Sequence, residues 1–389
     1  PAGADLPLAL PMKVRFRRLA VFQFRNHAEA ELQLGPEINC FVGPNGTGKT
    51  NLLDAVHYLA LCKSYFDATD QHAVRHGEDQ FLLKGVLEEP DGDVELACSV
   101  RREHKKVFQR DRKEYERLSD HIGRWPAVMI TPYDGQLILE GSEVRRRFVD
   151  GLIAQFDRGY LDALMRYNRA LKHRNVLLKR FAEQGGGAQA ALEPWDEQLA
   201  MHAATVHRGR RAFLTELAPL ALAHYQGISS GPETVGLEYR SPLDDEPMEV
   251  LLRAHWERDR SAQYTTTGVH KDDLHFLLDG QPLRRFGSQG QQKTFLIALK
   301  LAQFDLTAVR TGRKPVLMLD DIFDKIDPQR MRHLLRLLGG GRFGQVLITD
   351  TDAGRLHQAL DGLPHDVRFF HLDHAQTIRM EAVERAEAR

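Results

Sequence analysis

The chain has only three cysteines, Cys40, Cys62 and Cys98, among 389 residues. None stands in a CxxC pair or at metal-ligand spacing from a histidine. That argues against a disulfide framework or a zinc site and for free thiols in a reducing compartment. Net charge is also nearly missing: 53 Lys and Arg against 54 Asp and Glu leave −1 at pH 7. Bulk charge therefore argues neither for nor against a nucleic-acid partner, and its distribution along the chain must decide. No apolar run approaches a membrane span, and no internal repeat is visible. The opening PAGADLPLALP is apolar but short and without a basic n-region, so it is read as an extension ahead of Met12 and not as a signal peptide. The expected location is the cytoplasm, without membrane contact. What is present is 42% hydrophobic and 28% charged residues, ordinary for a soluble globular protein. The length suits two or three units, or one large domain carrying an insertion.

Periodicity divides the chain. VRFRRLAVFQF and AEAELQL alternate, INCFV is a short buried run, and FLLKGVLEE and VELACSVRR are further strands joined by the turn PDGD. Between them NLLDAVHYLALC reads as a helix with Leu52, Val56 and Leu59 on one face. From about residue 141 the period becomes helical: Leu152, Phe156, Tyr160, Leu164, Tyr167, Leu171, Leu178 and Phe181 form one apolar stripe. GGGAQAALEP breaks it, and WDEQLAMHAATVHRGRRAFLTELAPLALAHY makes a second helix. Strands return over 233–283. VLMLDDIF, PQRMRHLLRLL, GQVLITD and VRFFHL then alternate as in a parallel α/β sheet. The expected organisation is an α/β nucleotide-type domain built from both ends of the chain, with a helical insertion: 12–135, then helices over 136–230, then 231–385.

GPNGTGKT, residues 43–50, matches the phosphate-loop pattern G-x-x-x-x-G-K-[ST] in full, between a strand and a helix. Gly43, Pro44, Asn45, Gly46, Thr47 and Gly48 are expected to turn successive backbone N–H groups toward phosphate oxygens. Asn51 follows in the first turn of a helix whose positive end favours anions. Lys49 would sit against the β- and γ-phosphates and Thr50 would ligate Mg²⁺. The plain alternative is a glycine turn before a core helix. PVLMLDDIFDKID supplies an apolar strand ending in acid. Asp320 would hold Mg²⁺, and Asp321 would polarise the attacking water. Asp327 and Pro328 read as the cap and first residue of the next helix.

A second polar glycine loop, FGSQGQQK at 286–293, stands directly before the apolar run FLIALKLA. Ser288, Gly290 and the helix N-terminus behind them combine hydroxyl, backbone N–H and dipole into an anion site. A helix start capped by Ser288 is compatible with that role. Ser288-Gln289-Gly290-Gln291-Gln292 has the form of the S-G-G-Q signature of ABC-type ATPases, which caps ATP bound by a second subunit, with Gln289 in place of the first glycine.

Together with LAVFQFRNH, GSEVRRRFVD and TGVHKDDLHFLLDGQPLRRF, these motifs resemble the RecF family, recombinational-repair ATPases of the SMC/ABC superfamily. The matching stretches run in family order from about 19 to 327. The resemblance implies an ABC-type ATPase head with an inserted helical lobe. It implies ATP and Mg²⁺ as cofactors, an ATP-dependent homodimer and slow, DNA-dependent ATP hydrolysis. It also implies binding of double-stranded and gapped or junction DNA, and work with RecO and RecR in loading RecA. On this basis Ser288, Gly290 and Gln292 would complete a partner's nucleotide site, with Ser288, Lys49 and Asp321 acting in catalysis.

Three departures matter. Pro132-Tyr133-Asp134 stands where related ATPases carry a glutamine, leaving open whether Asp134 or Gln136 helps position Mg²⁺. Asp321 replaces the usual glutamate, one methylene shorter. Lys325 follows in DIFDKID, and Thr349-Asp350 takes the place of a transporter histidine.

Basic residues gather in two places. RREHKKVFQRDRKEYER at 101–117 holds eight basic and four acidic residues. Residues 141–213 hold thirteen basic and eight acidic residues, among them Arg145–Arg147, Arg166, Arg169, Lys172, Arg174, Lys179, Arg180, Arg208, Arg210 and Arg211. Any one could be a solvated surface charge; as a set they suggest a phosphate-binding surface. Arg145–Arg147 could instead sense nucleotide. Aromatic residues for base stacking are few, so backbone contacts and shape reading are expected. The rival readings are a transporter ATPase subunit, a small-molecule P-loop kinase and a DNA clamp without turnover.

Overall fold

The computed structural model describes residues 11–184, 189–229, 232–322, 334, 337, 341–361, 366–374 and 378–383. The chain divides into two compact units. One comprises Pro1–Asp134, Gly227–Ser229 and Lys300–Arg389, the other Gly135–Gln226 and Ser230–Leu299.

The first unit contains two six-stranded sheets. Ile38–Val42, Ala127–Ile130, Val316–Asp320 and Val346–Asp350 are buried at every position, the pattern of strands covered on both faces. They pair in parallel in the order Val367–Leu372, Ile38–Val42, Val346–Asp350, Val316–Asp320, Ala127–Ile130. Ile378–Val383 adds an antiparallel edge. The second sheet is antiparallel, and its strands alternate; Gln80–Glu88, for example, buries Phe81, Leu83 and Leu87. Its order is His27–Gln33, Arg15–Phe24, Gln80–Glu88, Val94–Arg101, Val107–Arg110, Lys113–Glu114.

The helix Lys49–Leu61 touches strands of both sheets. It therefore buries all sides, including Ala55, Tyr58 and Ala60, and not the single face expected from Leu52, Val56 and Leu59. A helix buried on all sides belongs in a core. Gln345 ties the sheets together. Its Oε1 accepts from Phe16 N at 2.9 Å, and its Nε2 donates to the carbonyls of Phe16 and Gly35 at 2.7 and 2.8 Å.

In the second unit the stripe expected to be one helix is two, Ser142–Ile153 and Arg158–Glu183. Asp157 ends the continuity by capping the second, accepting from Tyr160 N at 2.8 Å. Phe156, between the helices, stacks on Phe213 with ring centroids 5.9 Å apart. Glu193–Ile228 is the long helix read from the sequence. Over 233–283 the strands Val235–Arg240 and Asp273–Leu278 pair antiparallel. The short helices Met248–Ala254 and Trp256–Ala262 intervene where strands were expected. Met248 and Leu252 are both buried, and their four-residue spacing puts them on one helical face. Gln289–Thr311 forms the helix behind the polar octapeptide. Lys325, the Asp327–Pro328 cap and the helix expected over 328–338, apart from Leu334 and Leu337, lie outside the described residues.

Gln345 is fully buried, so a side chain that cannot hydrogen-bond would leave backbone groups of Phe16 and Gly35 unsatisfied. Gln345→Met should lower unfolding stability by about 1–3 kcal/mol for each orphaned group, read as a reduced denaturant midpoint. An unchanged midpoint would remove the sheet-to-sheet tie from the account.

Candidate functional site

The parallel strands deliver their carboxyl ends to one edge of the sheet, where ligands of open α/β sheets bind. Residues 43–48 leave Ile38–Val42 at that edge. Gly43, Gly46 and Gly48 adopt φ of 150, 83 and 99°, a region L-residues enter only with strain. A Cβ on Gly43 would stand 2.2 Å from the Leu372 carbonyl oxygen, and one on Gly48 would stand 2.5 Å from Asn26 Oδ1 and His27 Nε2. Around Gly46 the space is open.

The loop is held from outside by the hairpin turn that joins the first two antiparallel strands. Asn26 Nδ2 donates to Gly46 O at 3.3 Å, His27 Nε2 donates to Gly48 O at 3.0 Å, and Asn51 Nδ2 donates to Asn26 Oδ1 at 2.7 Å. Burial keeps His27 below its ordinary pKa, opposed by that hydrogen bond, so it serves as a neutral donor. Thr47 Oγ1 donates to Pro44 O at 3.0 Å.

Lys49 Nζ donates to the carbonyls of Gly43 and Pro44 at 2.7 and 2.8 Å. Its desolvation lowers its pKa, against the pull of Asp321, Asp320 and Asp350. Thr50 Oγ1 donates to Asp320 Oδ1 at 2.7 Å, which joins the two sequence motifs across 270 residues. Thr349 Oγ1 donates to the same oxygen at 2.8 Å and accepts from Asp321 N at 2.9 Å. Burial raises the pKa of Asp320, while the Thr50 and Thr349 hydroxyls hold it down. Asp321 stands at φ 48°, a strained conformation for a residue with a side chain. Asp350 is taken by Arg355, whose Nε lies 3.1 Å from Oδ2.

The donor set suits a hard cation. A threonine hydroxyl and a carboxylate stand together, as Mg²⁺ shared with a phosphate requires. Among the described residues no group of three His, Cys, Asp or Glu could hold a metal. Beside the loop opens a cleft of about 750 Å³ lined by Arg25, Asn26, His72, Arg75, His76 and Arg102 among others.

The Ser288 loop belongs to the second unit. Ser288 N donates to Gln291 Oε1 at 2.7 Å and Gln291 N donates to Ser288 Oγ at 3.3 Å, a reciprocal helix cap. Ser288 and Gln289 are exposed and Gly290 is half-buried. Gln292 Nε2 donates to Gly287 O at 2.9 Å, so its amide braces the loop from within.

Several basic residues expected at a phosphate surface are consumed inside the second unit. Arg145 binds both Asp273 oxygens, at 2.8 and 3.1 Å. Arg146 Nη1 donates to Asp272 O at 2.6 Å. Arg174 is paired with Asp196 and Asp259, and Arg210 with Asp150 and Asp272. Arg211 pairs with Asp244 but stays exposed. Arg147, Arg166, Arg169, Lys172, Lys179, Arg180 and Arg208 remain exposed or nearly so.

Residues 18–129 match the family model described as an AAA domain. The DNA replication and repair protein RecF of Bacteroides fragilis is 43% identical over 95% of this chain and 99% of its own length. That of Porphyromonas gingivalis is 44% identical over 92% and 98%. The chain belongs to the RecF family. The solved structure of the recombination mediator protein RecF with ATP, in the RecFOR pathway, is 26% identical with a TM-score of 0.84, covering 96% of this chain and 99% of that one. The Smc head domain of Pyrococcus furiosus shares the fold, with 12% identity and a TM-score of 0.57 over 95% and 96% of the two chains. The RecF resemblance and the fold class of an ABC/SMC-type ATPase head with a helical insertion are thus borne out, and a transporter subunit is not favoured.

The sequence reading missed the roles of Asn26, His27 and Thr349. Asn26 and His27 stood within the quoted stretch LAVFQFRNH, but periodicity gives no sign that a hairpin turn braces a loop downstream. The geometry separates the glycines. Gly43→Ala should abolish nucleotide binding and lower the melting temperature, because its Cβ would collide with backbone. Gly46→Ala should cost only backbone strain, about 1–3 kcal/mol. Equal thermal shifts for the two variants would contradict the packing argument.

Proposed function

We propose that this chain is a DNA-binding ATPase of recombinational repair, which binds ATP with Mg²⁺ and dimerises around it. The observation that carries the reading is the Thr50–Asp320 hydrogen bond at 2.7 Å, at the mouth of a loop with three positive-φ glycines. Gly43, Pro44, Asn45, Gly46, Thr47, Gly48, Lys49, Thr50 and Asn51 would hold the phosphates. Thr50 and Asp320 would hold Mg²⁺, which would supply charge neutralisation to the phosphates. Asp321 would orient the attacking water. The basic cleft beside Asn26 would take the remainder of the nucleotide. Ser288, Gly290 and Gln292 would close the site of a second copy, through the exposed Ser288 hydroxyl and the helix N-terminus. In these terms the ATPase domain comprises 12–135 and 231–385, with 136–230 as the helical lobe.

Titration calorimetry should find ATP affinity strongly reduced in Lys49→Met. In sedimentation, ATP with Mg²⁺ should convert monomer to dimer. Ser288→Arg should block that shift while a single protomer still binds ATP. A Ser288→Arg protein that dimerises normally would refute the composite site.

DNA would lie along the exposed side of Arg158–Glu183, where Arg166, Arg169 and Lys172 follow one another at three-residue spacing and Lys179 and Arg180 stand further along, all exposed. A helix of 26 residues is about 39 Å long at 1.5 Å per residue, enough to follow a phosphate backbone. The family's expected partners extend the reading to gapped or junction DNA, RecR, RecO and RecA, with weak DNA-dependent hydrolysis. Affinity for gapped duplex should fall steeply with salt. Arg169→Glu with Lys172→Glu should weaken binding and flatten the log–log salt slope by about 1–2. An unchanged slope and affinity would discard this face.

A further inference from the structure

The chain passes out of the first unit after Asp134 and returns for its long C-terminal stretch at Lys300. These two residues form an ion pair, with Lys300 Nζ 2.9 Å from Asp134 Oδ1 and both side chains only 4% exposed. Tyr65 completes the cluster. Its hydroxyl donates to Asp134 Oδ1 and accepts from Lys300 Nζ at 2.7 Å. The other carboxylate oxygen accepts from Thr131 N at 2.7 Å. Both oxygens of Asp134 are thus engaged within the protein. Gln136, the other residue considered for Mg²⁺, lies in the second unit.

The cluster touches the proposed reaction edge through two routes. Ala127–Ile130 is the strand beside Val316–Asp320, with Ile130 opposite Leu319, so Thr131 leaves the sheet next to Asp320. On the other side, Tyr65 N donates to Asp54 Oδ1 at 2.8 Å. Asp54 belongs to the helix that begins at Lys49 and also accepts from Arg25 at 3.1 Å and from Ser64. Arg25 adjoins Asn26, whose amide holds Gly46. Buried and part-buried hydrogen bonds therefore join the loop after Ile130, the Lys49–Leu61 helix and Lys300 of the helix Gln289–Thr311, and the peptide link from Arg25 to Asn26 carries the connection on to Gly46.

We propose that Lys300 and Tyr65 are positioning residues for ATP hydrolysis, acting through Asp134 to hold the 131–134 loop against the Asp320–Asp321 edge. The pair takes over the mechanical task of that loop and leaves the metal to Thr50 and Asp320. A buried charge pair is suited to this. It is directional, and removing one partner strands the other charge in a low-dielectric setting. The inference rests on the ATPase reading above.

The test is steady-state ATP hydrolysis by the full chain with Mg²⁺ and gapped DNA, with kcat and KM separated. Lys300→Met should lower kcat about 10- to 100-fold, the scale of a misplaced reacting geometry, while KM for ATP stays within about threefold. Lys300→Arg, which keeps the charge, should recover most of the rate. Tyr65→Phe keeps the ring and the ion pair. It should show a smaller loss confined to kcat, and it carries the test if Lys300→Met does not fold. Parent-like kcat in Lys300→Met, or in Tyr65→Phe where that variant stands in, overturns the inference alone. A loss that falls on KM, or that Lys300→Arg does not relieve, overturns it too. A parent chain that hydrolyses no ATP overturns the ATPase reading and this inference with it.

Discussion

Everything at the proposed reaction edge converges on one carboxylate oxygen. Asp320 Oδ1 accepts from Thr50 and from Thr349, and through them it fixes three separate pieces of chain: the start of the Lys49–Leu61 helix and the ends of two neighbouring strands. A buried carboxylate is costly unless its lone pairs are used, so the two hydroxyls are as necessary to Asp320 as it is to them. Parallel register makes the meeting possible. Strand ends pair Asp320 with Thr349 directly, and the strand after that delivers the phosphate loop. Other side chains act one step further out, Asn26 and His27 on the loop's backbone and Gln345 on the sheets beneath it.

The second unit applies the same economy to charge. Arg174, Arg210, Asp259 and Asp272 are all nearly inaccessible, and each is matched by an opposite charge. Such pairs add little net stability, because desolvation offsets much of the attraction. They do demand one arrangement, since a shift by one helical turn would leave a charge alone. The basic excess read from the sequence is therefore two populations, one that sets the packing of the helical unit and one that faces solvent, chiefly along Arg158–Glu183.

That division marks the limit of what the sequence made legible. Strands with alternating burial, the phosphate loop and the acidic strand end are local patterns with short-range causes, and each is where periodicity and spacing put it. The Ser288 cap was legible for the same reason. The break at 154–157 was hidden because Phe156 keeps the apolar spacing across a gap in the helix, contributing its ring from a linker. The Arg210 pairs were hidden because their partners, Asp150 and Asp272, lie 60 and 62 residues away. Residue type alone cannot separate an arginine that binds phosphate from one that closes a core. Asp134 stayed open for the same reason: its partners Lys300 and Tyr65 lie far along the chain, and only the fold brings them to it.

Asp321 shows how geometry can qualify a motif. Its backbone is left-handed, and only a held residue keeps such a conformation at a cost of about 1–3 kcal/mol. The holding bond is its own N–H to Thr349 Oγ1. Thr349 therefore works on both aspartates at once, donating to the first and accepting from the second. The aspartate at 321, the threonine at 349 and the strained turn between strand and loop thus form one consistent set.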